Sequence, residues 1–141
     1  MKFVFAAKWF QFEDSGSWTV GVETDDPHPT ADASSFPADF VRVSAWALAR
    51  YREQIAAAVE GRDDDGYVAG ADGVNVGFRG GVFVLTHDYY SEGAETLISP
   101  EDLVRLIDWR IAIIESDDFN NPDADFGSIE VDLEIRDRSE S

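Results

Sequence analysis

The strongest constraint on the fold is an alternating segment close to the C-terminus. Four apolar residues face one way and four charged residues face the other: Ile129, Val131, Leu133 and Ile135, against Glu130, Asp132, Glu134 and Arg136. Because successive side chains of a strand point to opposite faces, this pattern predicts a strand with one buried and one solvated face. The sheet that contains it therefore needs a covering layer on one side only.

Aromatic and β-branched runs predict a hairpin at the N-terminus. The first strand covers Lys2 to Phe12, with Phe3, Phe5, Ala7 and Trp9 on one face. Phe10 and Phe12 fall on the other face, which indicates a β-bulge near Lys8 or a strand covered on both faces. A turn at 13–16 leads to a second strand, in which Trp18, Val20 and Val22 alternate with polar residues and glycine.

A second hairpin is predicted in the middle of the chain. Val74, Val76 and Phe78 alternate with other residues, and Gly80-Gly81 is typical of a tight turn. Val82 to Leu85 is continuously apolar, which predicts a central strand. Residues 62–73 are rich in Gly and Asp and are predicted to form a connector.

Two helices are predicted. The first runs from about Pro37 to Glu60, with an apolar stripe formed by Val41, Ala45, Leu48, Ile55 and Val59. The second begins after Ser99 as N-cap, with Pro100 in the first position and Glu101 and Asp102 in the first turn. Its buried side is predicted to comprise Val104, Ile107, Ile111 and Ile114, widened by Leu106, Trp109 and Ile113.

The element order is ββαββαβ. Short hairpins favour an α+β fold, with a mainly antiparallel five-stranded sheet and two helices on one of its faces. We expect one domain over residues 1–136, and a frayed acidic tail over 137–141.

Charge and composition exclude several classes of function. The chain has 29 acidic and 11 basic residues, a net charge of −18 and no Cys. Such a charge repels phosphate backbones and anionic membranes, so we expect no nucleic-acid or membrane partner. The absence of Cys rules out disulfides, thiolate zinc sites and a Cys nucleophile. The short apolar N-terminus, interrupted by Lys8, does not resemble a signal peptide and predicts a cytosolic protein.

The acidic residues are concentrated in loops and on the outer face of the last strand. The main groups are Glu13 and Asp14; Asp25, Asp26 and Asp32; Glu60, Asp63, Asp64 and Asp65; and Asp117, Asp118, Asp123 and Asp125. One interpretation is a surface that captures a basic protein, because complementary charge accelerates association. The other is a generally acidic surface that only keeps the chain soluble.

Catalytic and metal-binding patterns are weak. Residues 61–66 partly resemble a calcium loop, but Gly61 stands where the first Asp belongs and Asp72 replaces the bidentate Glu, so no metal site is predicted. His87 beside Asp88 could act as a general base, but neighbouring strand residues face opposite ways. No nucleophile elbow or cofactor motif accompanies them, so we predict neither an enzyme nor a cofactor, and interpret His87 as exposed or at an interface.

Aromatic residues are the last signal, since the chain has four Trp. Trp46 and Trp109 lie on predicted helices and are expected to pack in the core. Trp9 and Trp18 lie on the first hairpin, and Tyr89 and Tyr90 follow the fourth strand. Aromatic side chains at the rim of an acidic surface are typical of interface hot spots, although ordinary packing against the sheet is the better explanation for each one taken singly.

The chain resembles the small immunity proteins of bacterial polymorphic toxin and contact-dependent inhibition systems in length, charge and helix–sheet layout. The residues that carry the resemblance are the acids Asp63 to Asp65 and 117–125, with Trp18 and Tyr89. It implies a compact α+β protein without catalytic residues, which binds and neutralises a cognate toxin.

The leading hypothesis is therefore an acidic inhibitor of a basic partner, such as a toxin nuclease. The predicted contacts are Asp63, Asp64 and Asp65 with Tyr89 and Tyr90, placed together at one edge of the sheet. One alternative is a structural or homo-oligomeric module that pairs through an aromatic first strand at the sheet edge. The other is a small enzyme that uses His87.

Overall fold

The computed structural model describes residues 2–23, 36–61, 66–71, 74–87 and 94–137. It is an α+β fold, with seven strands and three helices in these ranges. The strands are β1 (Lys2–Phe12), β2 (Ser15–Glu23), β3 (Gly66–Ala71), β4 (Val74–Arg79), β5 (Val82–His87), β6 (Ala94–Ile98) and β7 (Ser128–Asp137). The helices are α1 (Phe36–Phe40), α2 (Ala45–Gly61) and α3 (Pro100–Glu115).

All neighbouring strands are antiparallel, in the order β2-β1-β7-β6-β5-β4-β3. Strand β7 joins the two halves of the sheet, because its first part pairs with β1 and its second part with β6. The edge strands are β2 and β3. The aromatic strand β1 is internal, so the expectation that it lies at a sheet edge is wrong.

The core lies between one face of the sheet and the helices. Cross-strand partners place apolar residues of five strands, β1, β7, β6, β5 and β4, on that face: Phe3 with Val131, Leu133 with Ile98, Ile98 with Phe83, and Phe83 with Phe78. They belong to the same buried cluster as Leu48, Ile55 and Leu106 of the helices. The alternation predicted for the last strand is confirmed: Val131 and Leu133 are buried, whereas Glu130, Asp132 and Glu134 are exposed.

Both predicted hairpins are present. Gly80 and Gly81 have φ values of +63° and +85°, which a two-residue turn between twisted strands requires. Strands β1 and β2 pair without a register shift, so the predicted bulge near Lys8 is absent from this pairing. Phe10 is 59% exposed, so β1 is not covered on both faces at that position.

The first predicted helix is divided in two. Ser44 interrupts the predicted span, because its side chain accepts a hydrogen bond from the Ala47 N–H (3.2 Å) and so forms the N-cap of α2. Trp46 is 70% exposed and does not pack in the core, since it lies about 200° around the helix from buried Leu48. Val59, in the last turn of α2, is 40% exposed, and its placement on the buried stripe is also wrong.

Helix α3 begins as predicted. The Ser99 hydroxyl accepts from the Asp102 N–H at 3.2 Å, and Pro100 follows the cap. The fully buried side differs from the predicted one, because it consists of Leu103, Leu106, Ile107, Arg110 and Ile113. Val104, Ile111, Ile114 and Trp109 are partly buried and pack against the core.

The predicted α+β class and antiparallel sheet are confirmed, whereas the count of five strands and two helices is wrong. Strand β3 falls within the predicted connector, since its sequence, GYVAGA, contains little that resembles a buried strand. Strand β6, AETLI, is short and carries Glu95. That carboxylate is buried and paired with Arg79 at 2.8 Å, so a charge interrupts the apolar pattern.

Strand β7 continues to Asp137, while residues 138–141 of the predicted tail lie outside the described ranges. None of the helices in those ranges is long and apolar enough to cross a membrane.

Gly16 provides a test of the hairpin packing. A Cβ at this position would overlap Cζ2 of the Trp9 ring, whereas one at Gly21 would meet only the flexible Lys8 chain at 3.1 Å. We expect Gly16→Ala to lower the free energy of unfolding by about 1–3 kcal/mol, because the indole must move. Gly21→Ala is the matched control and should cost clearly less. Urea unfolding followed by circular dichroism measures both, and equal losses would contradict the predicted clash.

Candidate binding surface

The predicted contacts Asp63, Asp64, Asp65, Tyr89 and Tyr90 lie outside the described residues. Their neighbours along the chain are described. Gly66 pairs with Phe78, at the end of the sheet where β4 turns into β5. His87 pairs with Val74, at the opposite end of those two strands. The residues that border the two segments thus lie at opposite ends of β4 and β5. That Asp63, Asp64 and Asp65 form one site with Tyr89 and Tyr90 stays a prediction.

The acidic residues on the outer face of β7 are exposed but partly neutralised. Lys2 Nζ lies 3.4 Å from Glu130 Oε1, and Arg136 Nε lies 2.9 Å from Glu134 Oε1. Asp102 accepts hydrogen bonds from Arg105 (2.8 Å) and from the Asp132 N–H (3.2 Å). Exposed pairs of this kind add little stability, but they reduce the local negative charge.

A second acidic group is the loop between α3 and β7, residues 116–127, which we call the acidic loop. Asp117, Asp118, Asp123 and Asp125 are all exposed. Within the described part of the chain, none of these carboxylates forms an ion pair. The acidic loop therefore presents its full negative charge to solvent.

Aromatic side chains hold the acidic loop to the fold. Trp18 Nε1 donates to the Asn121 carbonyl at 2.9 Å, and Trp109 Nε1 donates to the Phe126 carbonyl at 3.3 Å. The Phe126 ring packs edge-on against Trp18, with centroids 5.1 Å apart. The Arg110 guanidinium lies 6.0 Å from the centre of the Phe119 ring.

Short-range hydrogen bonds order the same loop internally. The Ser116 hydroxyl accepts from the Asp118 N–H (3.1 Å), and Asn121 Oδ1 accepts from the Asp123 N–H (3.0 Å). Asp125 Oδ1 accepts from the Gly127 N–H at 2.9 Å, and the positive φ of Gly127, +68°, directs the chain into β7. A loop ordered before binding loses little conformational entropy when a partner docks.

Two arginines lie behind this surface, at edge strand β2. Arg110 is only 7% exposed and donates to the carbonyls of Trp18 (Nη1, 2.9 Å) and Val41 (Nε, 3.4 Å). Arg42 donates to the Val20 carbonyl through Nε (3.2 Å) and Nη2 (2.9 Å). Burial, and then the positive charge of Arg42, lower the pKa of Arg110.

The two guanidinium groups also protect the sheet. Among the described strands, none pairs with the outer side of β2, so its outward carbonyls would otherwise be available to another chain. An open cavity of about 440 Å³ lies here, lined by Phe10, Ser17, Trp18, Thr19, Arg42 and Arg110.

Sequence reasoning missed Arg110 because a charged residue is expected on the buried side of a helix only where partners satisfy it, and the partners of Arg110 lie far away in the sequence. The available signal was its spacing: Arg110 lies three residues after Ile107 and seven after Leu103, both fully buried. These intervals place all three residues on one side of a helix.

The catalytic and metal alternatives gain no support. His87 is half-buried on the inner face of the sheet, and its ring lies 5.6 Å from that of Phe36. The interpretation of His87 as an exposed residue is therefore wrong. No group of three potential metal ligands occurs among the described residues, and Asp63, Asp65 and Asp72 of the calcium-like segment lie outside them.

No protein-family model matches this chain, and comparison with curated proteins and with solved structures finds no match either.

The anchoring of the acidic loop can be tested through its tryptophan. We expect Trp18→Phe to remove the hydrogen bond to Asn121, to cost about 1 kcal/mol or more of folding stability, and to accelerate amide exchange across residues 118–125. Trp9→Phe is the control, because Trp9 Nε1 donates only to Gln11 (3.1 Å), within β1. Hydrogen–deuterium exchange by NMR measures both. Equal exchange in the loop of the two variants would contradict anchoring through Trp18.

Proposed function

We propose that this protein is an acidic protein-binding domain of the immunity or inhibitor kind, which neutralises a basic partner such as a toxin nuclease. The observation that supports it best is the acidic loop: four exposed carboxylates, without ion pairs to other described residues, on a segment held by aromatic contacts. The proposal needs no catalytic group in this chain, and it retains the cytosolic location predicted from the N-terminal sequence.

Charge explains the choice of a basic partner. A net charge of −18 attracts cationic surfaces over long range and increases the rate of encounter. A nuclease must attract a phosphate backbone, so the cleft that binds it carries positive charge. Carboxylates on a fixed loop can occupy that cleft in place of phosphates.

An exposed aromatic residue, Phe10, accompanies the charge of the acidic loop. Phe10 is 59% exposed and lines the same cavity as Trp18 and Arg110, which both touch the acidic loop. A large exposed aromatic residue beside polar groups is typical of the residues that slow dissociation. A standard interface covers ~800 Å² per partner, which accommodates the loop together with this aromatic side chain.

The first experiment identifies the partner and then measures its association rate. The full chain is immobilised, exposed at low salt to a lysate of the organism that makes it, and eluted with a salt step. The basic protein recovered is purified and mixed with wild type or with the triple variant Asp117→Asn, Asp118→Asn, Asp123→Asn. We expect the variant to associate about three- to tenfold more slowly at low salt, because three steering charges are lost.

The control removes the same number of charges elsewhere, through Glu53→Gln, Glu60→Gln and Glu101→Gln, all at exposed helical positions. Asp125 is left unchanged because it accepts a hydrogen bond from Gly127. Equal slowing by both triple variants would assign the effect to net charge and contradict a role for the acidic loop. Failure to retain any basic protein at low salt would contradict the proposed function.

The same assay tests the contacts predicted from sequence. Reversal of Asp63, Asp64 and Asp65 to Lys should slow association if that segment belongs to the interface, and Tyr89→Ala with Tyr90→Ala should accelerate dissociation. An unchanged association rate at low salt would remove the Asp63–Asp65 segment from the site while leaving the acidic loop in place.

A further inference from the structure

The cavity beside β2 has a chemistry that the acidic surface does not explain. It contains two arginines in a chain whose basic residues are outnumbered 29 to 11. In the described part of the chain, Arg110 contacts two backbone carbonyls and one aromatic ring, and no carboxylate. A buried cation without a counter-charge is costly, and dipoles of carbonyl groups offset only part of that cost.

The hydrogen bonds of Arg110 leave one nitrogen available. Nε and Nη1 are engaged by Val41 and Trp18, and Nη2 has no hydrogen-bond partner among the described residues. The like charge of Arg42 at the same cavity makes the neighbourhood more positive still. An anion placed here would gain charge-assisted hydrogen bonds and would relieve the mutual repulsion.

We propose that this cavity is a binding site for a single carboxylate attached to an aromatic or apolar group. The Nη2 group of Arg110, unpartnered among the described residues, offers N–H donors and positive charge to a carboxylate oxygen. Thr19 lines the cavity and brings a hydroxyl group that can donate to the same anion, whereas the Ser17 hydroxyl already donates to the Trp18 carbonyl at 3.4 Å. Phe10, largely exposed at this cavity, offers a face for an apolar substituent.

The surroundings decide between a monoanion and a polyanion. The acidic loop touches Arg110 and Trp18, so its carboxylates lie close to the cavity and repel a ligand of high negative charge. A phosphate chain or a nucleic acid would be repelled along its whole length. A monocarboxylate carries a single negative charge and is repelled less. The proposal goes beyond the binding of a basic partner and does not depend on it.

The test is a titration of the isolated full chain with defined probes. The probes are 3-phenylpropionate, an acetylated tripeptide that ends in Phe with a free carboxylate, and the same peptide as its amide. Indole N–H and arginine Nε–H signals are followed by NMR at constant ionic strength. We expect saturable shifts at Trp18, Arg42 and Arg110 with both carboxylates, and at least about tenfold weaker binding of the amide, since it lacks the charge.

The two carboxylate probes distinguish the source of the ligand. Tighter binding of the peptide identifies a protein C-terminus as the natural occupant, and equal affinities identify a small carboxylic acid. Both results support the site. The absence of saturable shifts with both carboxylates, or equal binding of the amide, would overturn it. Tighter binding of inorganic tripolyphosphate than of either carboxylate would overturn the preference for a monoanion.

Variants test Arg110 and the aromatic wall of the cavity separately. Arg110→Lys keeps the charge but loses the Nη2 donor, and it should weaken carboxylate binding by about tenfold. Arg50→Lys is the control, because Arg50 lies over Trp46 on α2 and does not line the cavity. If Arg110→Lys fails to fold, Phe10→Ala decides the outcome, because Phe10 is 59% exposed at the cavity and its loss should weaken the binding of 3-phenylpropionate by about threefold or more. Wild-type affinity in that variant would contradict the proposal.

Discussion

The guanidinium group of Arg110 joins three parts of the fold that share no strand pairing. Its hydrogen bonds reach edge strand β2 at Trp18 and the α1–α2 connection at Val41, and its charge faces the Phe119 ring of the acidic loop. The backbone carbonyls of a sheet edge and of a helix break both need donors when they are covered. One planar side chain with several donors meets these needs where a short neutral side chain could not. A buried positive charge thus adds one contact to those that hold the acidic loop.

This arrangement also explains how so acidic a chain keeps a defined surface. Negative charges close together on a loop repel one another and favour an extended loop. Here the aromatic rings of Phe119 and Phe126 pack against Arg110 and Trp18, while the four carboxylates are exposed to solvent. The indole N–H groups of Trp18 and Trp109 bind backbone carbonyls of the loop. Shape is therefore determined by aromatic and hydrogen-bond contacts, and charge is left available for a partner.

Sequence patterns predicted the elements whose signal is local, and missed those that depend on distant partners. The alternation of β7, the Gly80-Gly81 turn and the Ser99 cap were correct because each reflects backbone geometry within a few residues. Strand β3 is defined by its pairing with β4, and Glu95 is tolerated in β6 because Arg79 pairs with it. Arg110 was missed for the same reason, since its partners lie 92 and 69 residues away.

The proximity of the acidic loop to the arginine cavity has a consequence for specificity if both proposals hold. A basic surface alone would be attracted to the loop, as would many cationic proteins. A partner that also carries a carboxylate opposite Arg42 and Arg110 would complement both the acidic loop and the cavity. A purely cationic competitor would instead place its own positive charge against the positive charge of the cavity. Like charges across an interface are penalised, so Arg42 and Arg110 would discriminate among partners that the acidic loop attracts. Positive charge in a chain of net charge −18 would then serve partner selection as well as folding.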